Sequence, residues 1–401
     1  MQNELTIVVL HKNKTAQTCE IRIEVVYLQH RIIFKFMEMN KKESGRLSTN
    51  KKGNHYDVRI SAAITWLRFP LIFFIILLHC YSVQHLVGDH KTYFNLLYPL
   101  TLWIGETGVP GFFFISGYLF FLSKKKYTQK LLDRVRSLLV PYLLWNTILL
   151  VLYVIAQIIG YPQDINGRSL ADYNYIDYLR LYWDRGSYDH GNFAPLLCPL
   201  WYIRNLLIMS ILSPLLLYII RFAREAFLLA IAAWWLMTYN NAFIPQTVLF
   251  FCLGAYFSIL NINPLKIVDK NKGLFITLFA VLAICDIVSH TVYGTPLNLQ
   301  IHRLSLIFNI AALIILADHC VQHHYTNKTL SNAAFIVFCI HYPIVVILRK
   351  SCIAHFTFVS DTIHILLYFA CIIISTLISI GFYLILDNYF PNIKRTLSGN
   401  R

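Results

Sequence analysis

Charge is what this chain has least of. Only 14% of its 401 residues are Asp, Glu, Lys or Arg, where a soluble domain carries about 25%. Hydrophobic residues make up 57% and mean hydropathy is +0.54. So few charged side chains leave too little to clothe a water-facing surface, which excludes an ordinary soluble globular protein. Metal and redox spacings are missing as well. The nine cysteines (Cys19, Cys80, Cys198, Cys252, Cys285, Cys320, Cys339, Cys352 and Cys371) form no Cys-x-x-Cys pair, and most lie inside apolar runs. They are expected to be packing thiols. No Gly-rich phosphate loop, Ser-His-Asp order or nucleic-acid module is found. A nucleic-acid partner is therefore not expected, although the formal charge is +15. The basic residues gather in short loops between apolar runs, where they act as orientation signals.

What fills the chain is a series of apolar runs, each long enough to cross a ~30 Å hydrocarbon core. They predict an all-α, polytopic integral membrane protein with about ten transmembrane helices. The spans are drawn roughly over 61–84, 96–122, 138–160, 199–220, 226–241, 244–260, 273–290, 302–322, 333–350 and 363–386. The strongest basic cluster, Lys124 through Arg136, is expected in the cytoplasm. Ten spans then put both termini there and the 161–198 loop outside, in a multi-pass cell-membrane protein surrounded by lipid. Arg349 and Lys350 fall outside, against the trend. The long loop is rich in Tyr and Asp: Asp172, Tyr173, Tyr175, Asp177, Tyr178, Tyr182, Trp183, Asp184, Tyr188, Asp189 and His190. Aromatic faces stack on sugar rings and carboxylates accept from their hydroxyls, so a carbohydrate contact fits. An interfacial aromatic belt with a solvated loop fits equally well.

Residues 1–57 differ in kind, being polar and rich in Lys and Asn. They fit a small β-rich appendage, or upstream sequence before a true start at Met37 or Met39; the later start is favoured. A signal peptide is not expected, since the first long apolar run begins near residue 61 and has no small-residue cleavage site. Residues 58–390 form the transmembrane domain and 391–401 a cytoplasmic tail.

Ionisable side chains inside spans are costly and therefore point to function. The first span carries Arg68 and His79. Eleven positions at about 1.5 Å rise place them roughly 16 Å apart, about three turns, on nearly one face. Arg can grip a phosphate or carboxylate with two N–H groups, and His can take a hydroxyl proton near neutral pH. The second span contains Gly105-Glu106-Thr107-Gly108-Val109-Pro110-Gly111. Its glycines and proline should break the helix, which is tolerated where backbone lines a protein cavity. Glu106 sits at the break; the plainer reading makes it an interfacial residue.

These segments resemble the membrane-bound acyltransferase 3 family, which includes O-acetyltransferases of surface polysaccharides. The likeness rests on Arg68 and His79 at their spacing and on Val109-Pro110-Gly111-Phe112-Phe113-Phe114-Ile115-Ser116-Gly117-Tyr118. Supporting segments are Arg134 through Tyr142, Leu200-Trp201-Tyr202-Ile203-Arg204-Asn205-Leu206, Phe250-Phe251-Cys252-Leu253-Gly254, Ser331, and Ile340-His341-Tyr342-Pro343. The resemblance covers about residues 60–386. It implies an acyl-CoA co-substrate from the cytoplasm, acetyl-CoA being the expected one, with no bound cofactor and no metal. It implies a hydroxyl acceptor on a glycan or lipid-linked sugar. His79 would be the catalytic His, Arg68 its companion, and Arg134 and Arg136 would bind the donor. Ser116, Tyr118, Trp201 and His341 are expected to line the cavity, although His341 also fits a packed core histidine.

Two departures stand out. Many members carry two Arg three apart before the Pro, where this chain has Arg134 and Ser137 with Arg136 between. Many carry a Trp-Ser-Leu-x-x-Glu-Glu run, where this chain has Trp201-Tyr202-Ile203-Arg204-Asn205 and no Glu. Glu106 is the candidate to replace that acid. Asp318, His319, His323 and His324 resemble a metal cluster only weakly, and Asp286 with His290 reads as an interfacial pair. The rival function is a transporter or flippase for a lipid-linked sugar or small anion, which would also use broken helices and intramembrane ionisable residues. A transporter often shows a repeated half, and no second copy of the Arg-to-His or Phe-rich run is found.

Overall fold

The computed structural model describes residues 53–81, 91–161, 164–165, 167–186, 194–239, 243–290, 296–356 and 358–400. The expected appendage or upstream segment at the N-terminus lies almost wholly outside them, as do Tyr188, Asp189 and His190. The described chain is helical nearly throughout. In a bilayer, backbone N–H and C=O groups must find partners within the segment, and only helices do this for a single apolar run.

In chain order, α1 is Gly53–Cys80, and a π-turn at Tyr93–Leu97 leads into α2 (Tyr98–Gly105) and α3 (Gly108–Leu122). Then come α4 (Tyr127–Arg134), a second π-turn at Val135–Leu139, and α5 (Val140–Ile158). The next loop holds an antiparallel pair, β1 (Asp164–Ile165) and β2 (Arg168–Ser169), and the short α6 (Tyr175–Arg180). It is followed by α7 (Trp201–Met237), α8 (Phe243–Ile259), α9 (Pro264–Lys270) and α10 (Lys272–Ser289). The chain ends with α11 (Pro296–Gln322), α12 (Lys328–His355), α13 (Asp361–Tyr389) and α14 (Pro391–Ser398).

The described residues supply seven helices long and apolar enough to cross a membrane, or eight if the bent pair α8–α9 is one span. The sequence suggests about ten, and the difference has local causes. The 96–122 segment is interrupted at Glu106-Thr107, so it forms two short helices. The stretches 199–220 and 226–241 form one helix, kinked at Arg224 (φ 44°). The α8–α9 pair bends by 92° after only 17 residues.

Of the long spans, α12 is the most buried and α10 the most peripheral. Glycines set how closely α1 meets α2 and α3. A Cβ on Gly105 would lie 2.9 Å from Leu78 Cβ, and one on Gly108 2.8 Å from the Leu71 carbonyl. Further along α3, Gly117 rests on the Phe251 carbonyl of α8, and Gly254 rests on the Phe114 carbonyl in return. Membrane helices associate through such small residues because lipid offers no hydrophobic drive.

Within the tail, Pro391–Ser398 folds into α14, which docks on α5. Trp145 Nε1 donates to the Leu397 carbonyl at 3.1 Å, and Lys394 pairs with Asp387 at 2.6 Å. Gly399 ends α14 in the left-handed region (φ 67°) and lies against the Ser137 backbone of the second π-turn.

Candidate active site

Arg68 and Arg134 meet in one cavity. It measures about 340 Å³ and lies among α1, α3, α4, α7 and α12, with Ser116, Ser137, Tyr202 and Ser331 supplying further polar groups. Ser116 Oγ and the Tyr202 hydroxyl are 3.0 Å apart. Ile72, Phe112, Leu119 and Phe335 make the rest of the wall apolar. Two guanidiniums at a largely apolar cavity suit a ligand with an anionic head and an apolar or thioester end. Arg134 reaches the cavity from the last turn of α4, its guanidinium 5.4 Å over the Phe120 ring. The following π-turn carries Arg136 away: it is exposed and is not part of the lining.

Tyr118 and Trp201 also depart from expectation. Neither lines this cavity. Trp201 stacks on Phe243, with centroids 4.3 Å apart and planes at 14°, and Tyr118 is buried in α3 beside Gly254. Both are packing residues of the α3–α7–α8 contact. Tyr202, the neighbour of Trp201, faces the cavity instead.

His79 lies in the last turn of α1. Its ring is 5.3 Å from His341 and edge-on to Tyr342 at 5.0 Å, both residues of α12. His341 is fully buried. Its Nδ1 sits 3.1 Å from the Val337 carbonyl, while its Nε2 has no hydrogen-bond partner among the described residues. His341 is thus beside His79, and it does not line the Arg68 cavity. Phe338 connects the two places: it lines the cavity and its ring is 6.2 Å from His341. On the far side, Tyr342 lies near Arg185 and Cys198 of the loop between α5 and α7. Successive residues of α12 therefore run from the Arg68 cavity, past the two histidines, to the loop between α5 and α7.

Glu106 belongs to a second cluster. Because Gly105 packs on Leu78, Glu106 stands at the level of the last turn of α1. Its Oε2 is 3.0 Å from His302 Nε2, and His302 Nδ1 is 2.8 Å from Asp286 Oδ2. Ser305 Oγ also donates to Asp286 Oδ2, at 3.1 Å. The Glu106 side chain remains 41% exposed, while those of His302 and Asp286 are 13% and 8%. Asp286 therefore spends its carboxylate on His302, and His290 lies edge-on to Tyr98 at 5.5 Å. His302 escaped the sequence reading, although a His-Arg pair opening an apolar run was a visible signal.

Among the described residues no group of His, Cys, Asp and Glu has the arrangement of a metal site. Asp318 is taken by Arg59, at 2.5 Å, and by Gln322.

No solved structure matches the chain. A curated relative, the succinoglycan biosynthesis protein ExoH of Rhizobium meliloti (strain 1021), is 27% identical over 373 residues, 86% of this chain and 94% of the relative. The family model described as "Acyltransferase domain" matches residues 61–384, which contain every residue of both clusters. The chain is a multi-pass membrane acyltransferase and belongs to the acyltransferase 3 family.

Proposed function

We propose that the protein transfers an acyl group, with acetyl the expected one, from a cytoplasmic acyl-CoA to a hydroxyl of an extracytoplasmic glycan. The observation that carries this reading is the location of the His79–His341 pair. It lies between a cavity with two guanidiniums on one side and a polar, aromatic loop on the other. The basic stretch around Lys124 orients the cavity toward the cytoplasm. The glycan acceptor is supported by the relative, whose name assigns it to succinoglycan biosynthesis.

In this mechanism Arg68 and Arg134 hold the anionic part of the donor. The acceptor oxygen attacks the thioester carbonyl carbon as His79 takes its proton. The C–S bond breaks, and the CoA thiolate leaves with the proton returned from His79. Arg68, at the cavity and about three helical turns from His79, acts on the donor's position rather than on the reacting carbonyl. Glu106, whose Oε2 is held by His302, is the candidate acid beside the acceptor.

The test compares surface glycans, by mass spectrometry, from cells with and without the protein. Acyl groups should be present on the glycan only when the protein is made. Unchanged acylation, together with loss of a lipid-linked sugar from the outer leaflet, would support a flippase instead.

A further inference from the structure

We infer that the loop between α5 and α7 carries a saccharide-binding groove, which holds the acceptor chain and leads to His79 by way of Arg185. The inference rests on the acyl-to-glycan reading above and adds where the glycan is gripped.

The groove has a volume of about 400 Å³, and its lining includes Arg168, Tyr173, Arg180, Trp183, Asp184 and Arg185. It differs sharply from the cavity among α1, α2, α10 and α11, which is lined by Phe74, Trp103, Ile276, Phe279 and Leu313 and is almost wholly apolar. That cavity suits a lipid chain. The loop groove offers aromatic rings together with charged donors and acceptors, the mixture needed by a ligand with apolar ring faces and a rim of hydroxyls.

The groove is rigidly built. Asn174 and Asp177 form a reciprocal cap on α6. Arg168 pairs with Asp177 at 2.9 Å, donates to the Asp172 carbonyl at 2.6 Å and lies 4.8 Å over Tyr173. The membrane helices hold the other wall. Arg204 of α7 donates to the Trp183 carbonyl at 2.5 Å and stacks its guanidinium 4.9 Å over the indole. Tyr142 of α5 donates to the Tyr182 carbonyl, and Thr147 meets the Tyr182 hydroxyl at 2.7 Å. Such pre-organisation removes much of the ordering cost of binding. Even so, Trp183 is left 56% exposed. A large aromatic side chain anchored on one face and bare elsewhere is a platform for a flat apolar surface, which a sugar ring provides.

Arg185 joins the groove to the chemistry. It lines the groove and lies near Tyr342, whose ring packs edge-on to His79. Two side chains separate the groove from the catalytic histidine. A glycan lying on Trp183 and Arg180 therefore has a short path to present a hydroxyl beside Tyr342.

The test uses the full-length protein in lipid nanodiscs and an immobilised panel of de-acylated bacterial exopolysaccharide fragments, succinoglycan fragments among them, with no acyl-CoA present. Wild-type protein should capture fragments. Trp183→Ala should weaken capture about tenfold or more and Arg180→Ala by a few-fold. Trp183→Phe, which keeps an aromatic face, should retain most of it, so that misfolding is separated from loss of the platform. His79→Ala, which abolishes transfer, should still capture. Undiminished capture by Trp183→Ala, or no capture by the wild type, overturns the groove. Wild-type protein that captures glycan but transfers no acetyl group contradicts the acyl-transfer reading and leaves the groove standing.

Discussion

Two buried histidine clusters stand near one end of α1, and they are built in opposite ways. His302 has a carboxylate on each ring nitrogen, at 3.0 and 2.8 Å. Both nitrogens are committed, so the ring has no lone pair to offer a substrate proton. In the other cluster the rings of His341 and Tyr342 lie against His79. His341, 5.3 Å from the His79 ring, keeps one nitrogen without a hydrogen-bond partner among the described residues. Polar groups buried without full pairing are costly, and in a membrane they are kept for use. The contrast fits a structural role for His302 and the chemical role proposed for His79.

The largest effect that could break this assignment is at His79. His79→Ala should lower acyl transfer by at least about 10²–10⁴-fold, with the protein still present in the membrane. His79→Gln should fail nearly as badly, since an amide cannot take the proton. The check is transfer of radiolabelled acetyl groups, normalised to folded protein. His302→Ala should act on the fold. Removing one partner of a buried ionic group costs about 3–5 kcal/mol, because Asp286 is left deep in the protein beside no cation. The expected readout is a lower melting temperature and less protein in the membrane. The combined change with Asp286→Asn should recover much of both. If His302→Ala is fully stable but inactive, the two clusters have been assigned the wrong way round.

Smaller effects sharpen the same picture. Arg68→Lys and Arg134→Lys keep charge but lose the planar fork, so each should raise the KM for acetyl-CoA several-fold. Arg136→Ala, outside the cavity, should change it less than about twofold, as expected of an exposed residue. Steady-state kinetics with varied acetyl-CoA separates them.

The smallest effect concerns pH. The Asp177 carboxyl is held below its ordinary value, first by the Asn174 amide and then by Arg168. A depressed carboxyl contributes its hold on the loop fully above its unfolded value of about 3.9, and that contribution is lost as pH falls through the lowered value. Glycan capture should therefore be flat from pH 5 to 9 as far as Asp177 is concerned. Asp177→Asn, which cannot pair with Arg168, should weaken it modestly across that whole range.

Much of the fold was legible because apolar length and helical period are local properties. The break at Glu106 was readable from its glycines, whereas Arg68, expected as the companion of His79, meets Arg134 in the cavity instead. What local pattern does not encode is which face meets which. The π-turn after Arg134 rotates Arg136 out of the cavity, and no composition rule reports a one-residue slip. Trp201 and Tyr202 are neighbours with the same propensities, yet only Tyr202 reaches the cavity. His302 lies 196 positions from Glu106, and Arg185 reaches Tyr342 from a loop whose course depends on contacts with α5 and α7. The span count missed for a similar reason, since kinks and bends decide whether two apolar runs are two crossings or one.

Donor and acceptor should approach His79 from opposite faces of the membrane. Proteoliposomes holding the protein in one orientation test it most directly, with acetyl-CoA supplied only on the Arg134 side and de-acylated glycan only on the Trp183 side. Acetylated glycan should form in this arrangement and fail to form when the two substrates are exchanged. Product that appears only when both substrates share one side would contradict the account.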